Sequence, residues 1–295
     1  MTLEFKLHTS VKEIGPELWA KWEDPQSPFA DYDFLVSLEE SGAVGGESGW
    51  TPCHLSASID GQFQAIITLY MKTHSYGEYI FDWGWAEAAE RAGIAYYPKL
   101  VSAVPFTPAS CQKVLLAPEA TLATKNELIA TAREWSRQQK LSSLHVLFTD
   151  ESEAASYPTQ AWAWRESFQY HWVNKNYQNF DDFLKALKYR KAKQIRRERA
   201  GVQSLRIEMT EGDLLSAADG KAFYPYYLST IEAKQAHAYL PEQFFERAFA
   251  TMGKRLMIAR AFDGERCLAQ ALYFKKGEAL RSLLGGPGAP GLPAL

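Results

Sequence analysis

Two hairpin signals with the same internal spacing, 203 positions apart, restrict this chain to folds that can be built twice. In the first, residues 54–59 and 63–72 alternate apolar and polar around Asp60-Gly61; in the second, residues 256–262 and 267–275 do so around Asp263-Gly264. Asp-Gly between alternating runs predicts a tight antiparallel hairpin, because a type I′ turn needs residues that tolerate positive φ. After seven intervening residues each pair is followed by a matching stretch, Leu69-Tyr70-Met71-Lys72 in one and Leu272-Tyr273-Phe274-Lys275 in the other. Spacing shared over thirteen positions predicts a duplicated module. The length of 295 residues fits two domains at roughly 100 to 200 residues each.

Periodicity elsewhere predicts an α/β (α+β) class. Residues 3–8 read as a strand, and residues 31–40 as a helix stopped by Ser41-Gly42. Residues 100–104, 114–116 and 144–149 read as short strands, with an amphipathic helix over 121–140. A second block opens at Asn179, an N-cap ahead of Asp181 and Asp182 and a helix over 183–199. A strand over 205–209 and helices over 222–236 and 241–252 follow, the last with Pro241 at an N1-like position. The copies are unequal, since roughly a hundred residues of strand and helix follow the first hairpin and about twenty follow the second. The predicted division is a first domain over 1–178, an incomplete second domain over 179–280 and an irregular tail over 281–295.

A net charge of -3, from 32 basic and 35 acidic side chains, gives no overall field that would draw in nucleic acid or anionic lipid. The longest apolar run, residues 65–71, is far short of the ~20 residues of a membrane span, and residues 1–7 lack a signal-peptide core, so a cytoplasmic protein without membrane insertion is expected. Cys53, Cys111 and Cys267 are scattered and odd in number, which suits thiols in a reducing compartment; no zinc or redox pair is present and no metal is expected. Phosphate-loop, dinucleotide Gly, His-Glu-x-x-His and Gly-x-Ser-x-Gly patterns are also missing, which argues against the common ATPases, dehydrogenases, zinc hydrolases and serine esterases.

Two stretches carry chemistry. Residues 188–199 hold seven basic residues and one acid, and removing their +6 leaves the other 283 residues at -9. Such a helix can grip a phosphate-bearing partner, and Arg196 and Arg197, with a bidentate fork, suit phosphate better than Lys193; Arg199 completes the set. Bases at a helix end are equally what the macrodipole favours on a solvated face. Residues 72–88 pack His74, Glu78 and Asp82 among five aromatics, a setting that shifts pKa values toward proton transfer. In a strand, Glu78 and Asp82 would share one face and point into one cleft. Core packing and helix capping explain the same residues, and His74 reads equally as a hydrogen-bonded structural histidine.

The chain resembles a bacterial family through a series of motifs. They are Ser27-Pro28-Phe29, Asp33-Phe34-Leu35, Leu38-Glu39-Glu40-Ser41-Gly42, Gly49-Trp50-Thr51-Pro52, His74-Ser75-Tyr76-Gly77-Glu78-Tyr79, Phe81-Asp82-Trp83, Tyr96-Tyr97-Pro98-Lys99-Leu100, Val104-Pro105-Phe106-Thr107-Pro108, Phe180-Asp181-Asp182-Phe183-Leu184 and Ile195-Arg196-Arg197-Glu198-Arg199. The resemblance is to the GNAT-family N-acetyltransferases and FemAB-like peptidoglycan biosynthesis/recognition proteins, over most of residues 20–280. It implies two tandem GNAT-like domains and transfer of an acyl or aminoacyl group to an amine, with acyl-CoA or aminoacyl-tRNA as donor and a cell-wall precursor as acceptor. Glu78 or Asp82 would accept the amine's proton, and the basic helix would hold a phosphate-bearing partner, tRNA included. The alternative is a non-catalytic or degenerate module that binds a phosphate-bearing precursor or RNA.

Two departures stand out. The Arg/Gln-x-x-Gly-x-Gly/Ala loop that cradles the coenzyme A pyrophosphate is not found, and Arg199-Ala200-Gly201 lacks its spacing. Family members continue after a segment like Leu280 with Tyr-Gly-Arg-Tyr-Trp-Gly, whereas here Arg281-Ser282-Leu283-Leu284-Gly285 stands. Codons TAC GGT CGC TAC TGG GGG, preceded by C and read one base early, spell Leu-Arg-Ser-Leu-Leu-Gly. With four Gly and three Pro in residues 281–295 and no strand or helix period, an out-of-frame, irregular tail is expected.

Overall fold

The two Asp-Gly hairpins form, and each is the centre of a sheet. The computed structural model describes residues 2–158, 161–166, 168, 174–277 and 279–287. In chain order the first half contains β1 (Glu4–His8), α1 (Pro16–Trp22), α2 (Tyr32–Glu40), β2 (Trp50–Pro52), β3 (His54–Ile59), β4 (Gln62–Ile67), β5 (Tyr70–Lys72), α3 (Trp83–Arg91), β6 (Lys99–Ser102), β7 (Val114–Leu116), α4 (Leu122–Gln138), β8 (Leu144–Val146) and α5 (Glu151–Ala155). Then come α6 (Phe180–Lys185), α7 (Tyr189–Gly201), β9 (Arg206–Glu211), α8 (Ala217–Ala233), α9 (Glu242–Thr251), β10 (Leu256–Asp263), β11 (Arg266–Lys276) and β12 (Ala279–Pro287). Three four-stranded sheets result, ordered β1-β3-β4-β7, β2-β5-β6-β8 and β12-β11-β10-β9. Among the described residues all strand pairs are antiparallel except β6 with β8, and the fold is mixed α/β.

Duplication is visible in the register. β1 pairs with β3 as Glu4↔Ser58 through His8↔His54, and β9 pairs with β10 as Ile207↔Ala261 through Glu211↔Met257, every partner displaced by the same 203 positions. Two helices separate the paired strands in both halves, α1 and α2 in one and α8 and α9 in the other. The hairpins differ by a slip. Asp60 and Gly61 both have positive φ and form the first loop, whereas Asp263 pairs with Arg266, so the second loop is Gly264-Glu265 with positive φ at Gly264. Ser56 faces Ile66, but Ala259 faces Ala271 rather than Ala269. A slip of two residues is tolerated because strand side chains alternate with a period of two, so each stays on its own face.

The first hairpin also leaves one sheet for another, since Thr68 and Leu69 separate β4 from β5 and Cys53 separates β2 from β3. The Cys53 amide donates to the Leu69 carbonyl (2.9 Å), which keeps the ladder running across the break. The helix expected over 183–199 is two helices. Asn179 caps α6 by accepting the Asp182 amide at 3.0 Å, α6 ends at Lys185 with Ala186 as its C-cap, and Lys188, at a ψ of 137°, is the N-cap of α7. The tail expected to be irregular from Arg281 is a strand as far as Pro287, paired to β11 from Lys276↔Ala279 to Ala269↔Pro287. Main-chain pairing asks only for amides and carbonyls, which explains a strand without side-chain alternation. The remainder of that expectation, residues 288–295, lies outside the described residues.

The halves share one core. Phe34 of α2 meets Phe244 of α9 edge-on at 5.6 Å and Phe274 of β11 at 5.7 Å, and Phe29 lies 5.2 Å from Phe274. All four rings are buried. Within the second half, α8 and α9 approach at Gly220, where a Cβ would come within 2.4 Å of the Phe245 carbonyl oxygen. Around the aromatic seam, Arg255 pairs with Glu23 at 2.8 Å and with buried Asp31, and Lys276 reaches Asp31 at 2.5 Å. A second core, with Leu55, Ile67, Leu100 and Leu128, lies under α4 in the first half.

Phe34→Ala is expected to cost about 3 to 5 kcal/mol, the value for emptying a buried phenylalanine site. Urea denaturation followed by tryptophan fluorescence and by circular dichroism checks this. Because the seam is common core, both probes should report one transition shifted together.

Candidate active site

Lys72 and Lys99 face each other across the β5–β6 ladder, and both are fully buried. Like charges directly opposite in a sheet repel, and burying either without a counter-charge is costly. The chain between them supplies the compensation. Residues 73–82 are a loop rather than the strand that alternation suggested, with positive φ at Gly77, Tyr79 and Phe81. These turns aim Glu78 and Asp82 inward together onto one buried lysine, rather than along a strand face into an open cleft.

Lys99 Nζ donates to Glu78 Oε2 at 2.8 Å, Asp82 Oδ2 at 2.7 Å and Ser75 Oγ at 2.9 Å. The Tyr96 hydroxyl donates to Asp82 Oδ2 at 2.6 Å, and Tyr97 OH and Ser75 Oγ share a hydrogen bond of 2.7 Å. Lys72 Nζ donates to the Tyr76 carbonyl at 3.2 Å and sits 3.8 Å over the Trp50 ring, while Trp50 Nε1 donates to the same carbonyl at 3.1 Å. Both carboxylates thus pair with Lys99, and Lys72 is met by a carbonyl and an aromatic ring. Among the described residues, Glu78 Oε1 and Asp82 Oδ1 have no hydrogen-bond partner.

The environments separate the four groups. Burial pulls the Lys72 ammonium down to about 7, against the attraction of Glu78. Burial pushes the Glu78 carboxyl up, with Lys99 opposing. For Asp82 burial also raises, but hydrogen bonds from Lys99, Ser75 and Tyr96 outweigh it and hold the group at about 2. Burial and the Asp82 carboxylate raise the Tyr96 hydroxyl, so it remains a proton donor. Glu78 is therefore the better proton acceptor near neutral pH, and Asp82 is a fixed anion.

Asp82 stands at the N-cap position of α3, yet its side chain turns to Lys99 instead of capping the helix. Tyr96 and Tyr97 join the cluster to an open cavity of about 460 Å³ whose walls include Trp83, Ala86, Glu87, Glu90 and Ile94. His74 lies beside the cluster and takes no part in its hydrogen bonds. Its ring fills the space over Gly49, where a Cβ would come within 2.1 Å of Nε2, and its Nδ1 accepts the Tyr76 amide at 3.3 Å. Lys193, Arg196, Arg197 and Arg199 are exposed on α7, with Arg199 4.0 Å over the Phe180 ring, and the cluster's hydrogen bonds involve none of them. Arg199-Ala200-Gly201 is the last turn of α7, so it forms no loop that could wrap a pyrophosphate.

Sequence reasoning passed over Lys72 and Lys99 as site residues. The available signal was a lysine opening the otherwise uncharged run Lys99-Leu100-Val101-Ser102, since a charge in a buried strand needs a partner.

A profile of the FemAB-like family, described as peptidoglycan biosynthesis/recognition, matches residues 10–282. No curated protein matches the sequence significantly. Similar solved structures include FemX, at 11% identity and a TM-score of 0.48, with 97% of this chain and 80% of that one covered. A tandem GNAT protein from the clavulanic acid biosynthesis pathway, without acetyl-CoA, aligns at 10% identity and a TM-score of 0.39, covering 94% of this chain and 76% of that one. The ribosomal-protein-alanine N-acetyltransferase from Brucella melitensis biovar Abortus 2308 aligns at 11% identity and a TM-score of 0.34, covering 59% of this chain and 99% of that one.

Removing the shared cation strands two buried carboxylates, so Lys99→Met is expected to cost about 3 to 5 kcal/mol at neutral pH. Part of that loss should return as acidification protonates them. Lys72 gives the opposite pH signature. Its folded value of about 7 lies below its unfolded value of about 10.4, so the unfolded chain binds more protons between the two and stability rises with pH there. Chemical denaturation from about pH 7 to about pH 9.5 should show the wild type gaining stability relative to Lys72→Met.

Proposed function

The chain belongs to the FemAB-like family, and from that membership, carried by the match over residues 10–282, we propose that it transfers an acyl or aminoacyl group to an amine on a peptidoglycan precursor. The amine nitrogen attacks the acyl carbonyl carbon, the bond to the donor's sulfur or oxygen breaks, and the amine's proton must leave. Glu78 is the acceptor this reading assigns, because burial has raised its affinity for a proton. Lys99, itself held by Asp82, holds it in place, and a proton from the cavity beside α3 reaches it along the hydrogen bonds from Tyr96 to Asp82 to Lys99 to Glu78, each group passing on the proton it held as it takes up the next. The donor is an acyl-CoA or an aminoacyl-tRNA. The exposed Lys193, Arg196, Arg197 and Arg199 are the groups assigned to a phosphate-bearing partner.

Transfer of a labelled acyl group to a peptidoglycan precursor tests the reading. A positioned general base contributes about 10² to 10⁴ in rate, so Glu78→Gln should lower kcat by that factor with KM little changed, in protein whose melting point shows it folded. Asp82→Asn should lower it less. A loss under about tenfold in both variants removes the assignment. Thermal stabilisation by one donor and not the other identifies which is bound. Arg196→Ala with Arg197→Ala should weaken donor or precursor binding and flatten its salt dependence while leaving kcat intact. Salt-dependent binding with no turnover of any donor would instead mark a non-catalytic recognition module.

A further inference from the structure

A second cavity, of about 340 Å³, opens on the seam between the two halves. Tyr79 and Phe106 come to it from the first half and Tyr227, Tyr239 and Arg281 from the second. Phe106 and Tyr239 stack at 5.1 Å with an angle of 15° between their planes, forming one wall. Tyr79 and Phe106 both have a φ of 58°, a conformation that bulky residues adopt only when the surroundings impose it. The Phe106 amide donates to the Gly77 carbonyl at 3.1 Å, which ties this wall to the loop carrying Glu78.

Hydroxyl groups and one guanidinium bring donors to this cavity. Thr107 is 5% exposed, and its Oγ1 has no hydrogen-bond partner among the described residues; the same holds for Arg281 Nε. The Tyr227 oxygen accepts the amides of Tyr239 (3.1 Å) and Leu240 (3.2 Å), which leaves its own proton to donate. No Asp or Glu is among the described residues that line the space, and Arg281 is its one cation.

We propose that this seam cavity binds a carboxylate, the free C-terminal end of a short peptide, with Arg281 and Thr107 holding the carboxylate and the aromatic wall covering the adjoining side chain. One guanidinium matches one negative charge. A phosphate dianion would leave a second charge uncompensated among aromatic rings. Anion binding stands on the cavity alone; that the peptide belongs to the acceptor rests on the proposed acyl transfer.

Isothermal titration of the full chain with N-acetyl-alanyl-alanine, with its C-terminal amide and with inorganic phosphate tests this without any turnover. The free acid should bind at least about tenfold more tightly than the amide or phosphate, as expected for a charge-assisted hydrogen bond. Arg281→Gln should erase the preference for the acid, and Thr107→Val should weaken the acid more than the amide. Melting temperatures close to wild type confirm that both variants are folded. Equal affinity for acid and amide, tighter binding of phosphate, no binding of either peptide at 10 mM, or a preference that survives Arg281→Gln each overturns the assignment. Carboxylate-selective binding in a protein that transfers no acyl group would retain this site and discard the proposed activity; transfer without such binding would do the reverse.

Discussion

The pairing of Lys72 with Lys99 is the constraint to which the first half answers. Antiparallel register sets the two lysines on neighbouring strands at one level, both fully buried. Lys72 answers by giving up its proton more readily, and carboxylates brought from outside the ladder answer Lys99. Glu78 and Asp82 serve this purpose because the intervening loop accepts positive φ at three alternate positions. The conformation of the loop, the start of α3 and the orientation of Tyr96 all centre on the two carboxylates that pair with Lys99. Burial, with Lys99 opposing it, raises the proton affinity of Glu78 above that of an ordinary carboxylate.

The seam is the corresponding constraint between the halves. Duplicated units that keep an identical β1–β3 and β9–β10 register fold in the same way, yet neither is a separate body here. Phe29 and Phe34 pack into the other half's Phe244 and Phe274, and Glu23 and Asp31 of one half meet Arg255 and Lys276 of the other. Burial at that junction holds aromatic residues from both halves around a single cavity, so the space exists only in the assembled chain.

Particular residues show how far the sequence could be read. The Asp-Gly turns and alternating strands are local patterns with local causes, so both hairpins and their relation were legible. The two-residue slip of β11 was not, because it preserves every face. Glu78 and Asp82 were recognisable by their aromatic surroundings, although strand alternation was the wrong geometry for them. Lys99 was hidden because its partners lie 17 and 21 positions away, beyond any local period. The split of 183–199 into α6 and α7 has no Gly or Pro to announce it, and β12 is held by backbone groups that leave no trace in side-chain order.

The loop of residues 77–82 works as a sorting device. Glu78 and Asp82 go to the buried charges, Tyr79 to the seam, and Phe81, 75% exposed, to solvent. Neither helix nor sheet enforces this allocation; it follows from the count of residues between Gly77 and α3. The segment therefore has a phase. Adding or deleting a single residue would deliver a ring to the lysines and a carboxylate to the aromatic wall, so the length of the loop is held as tightly as the identity of its two carboxylates.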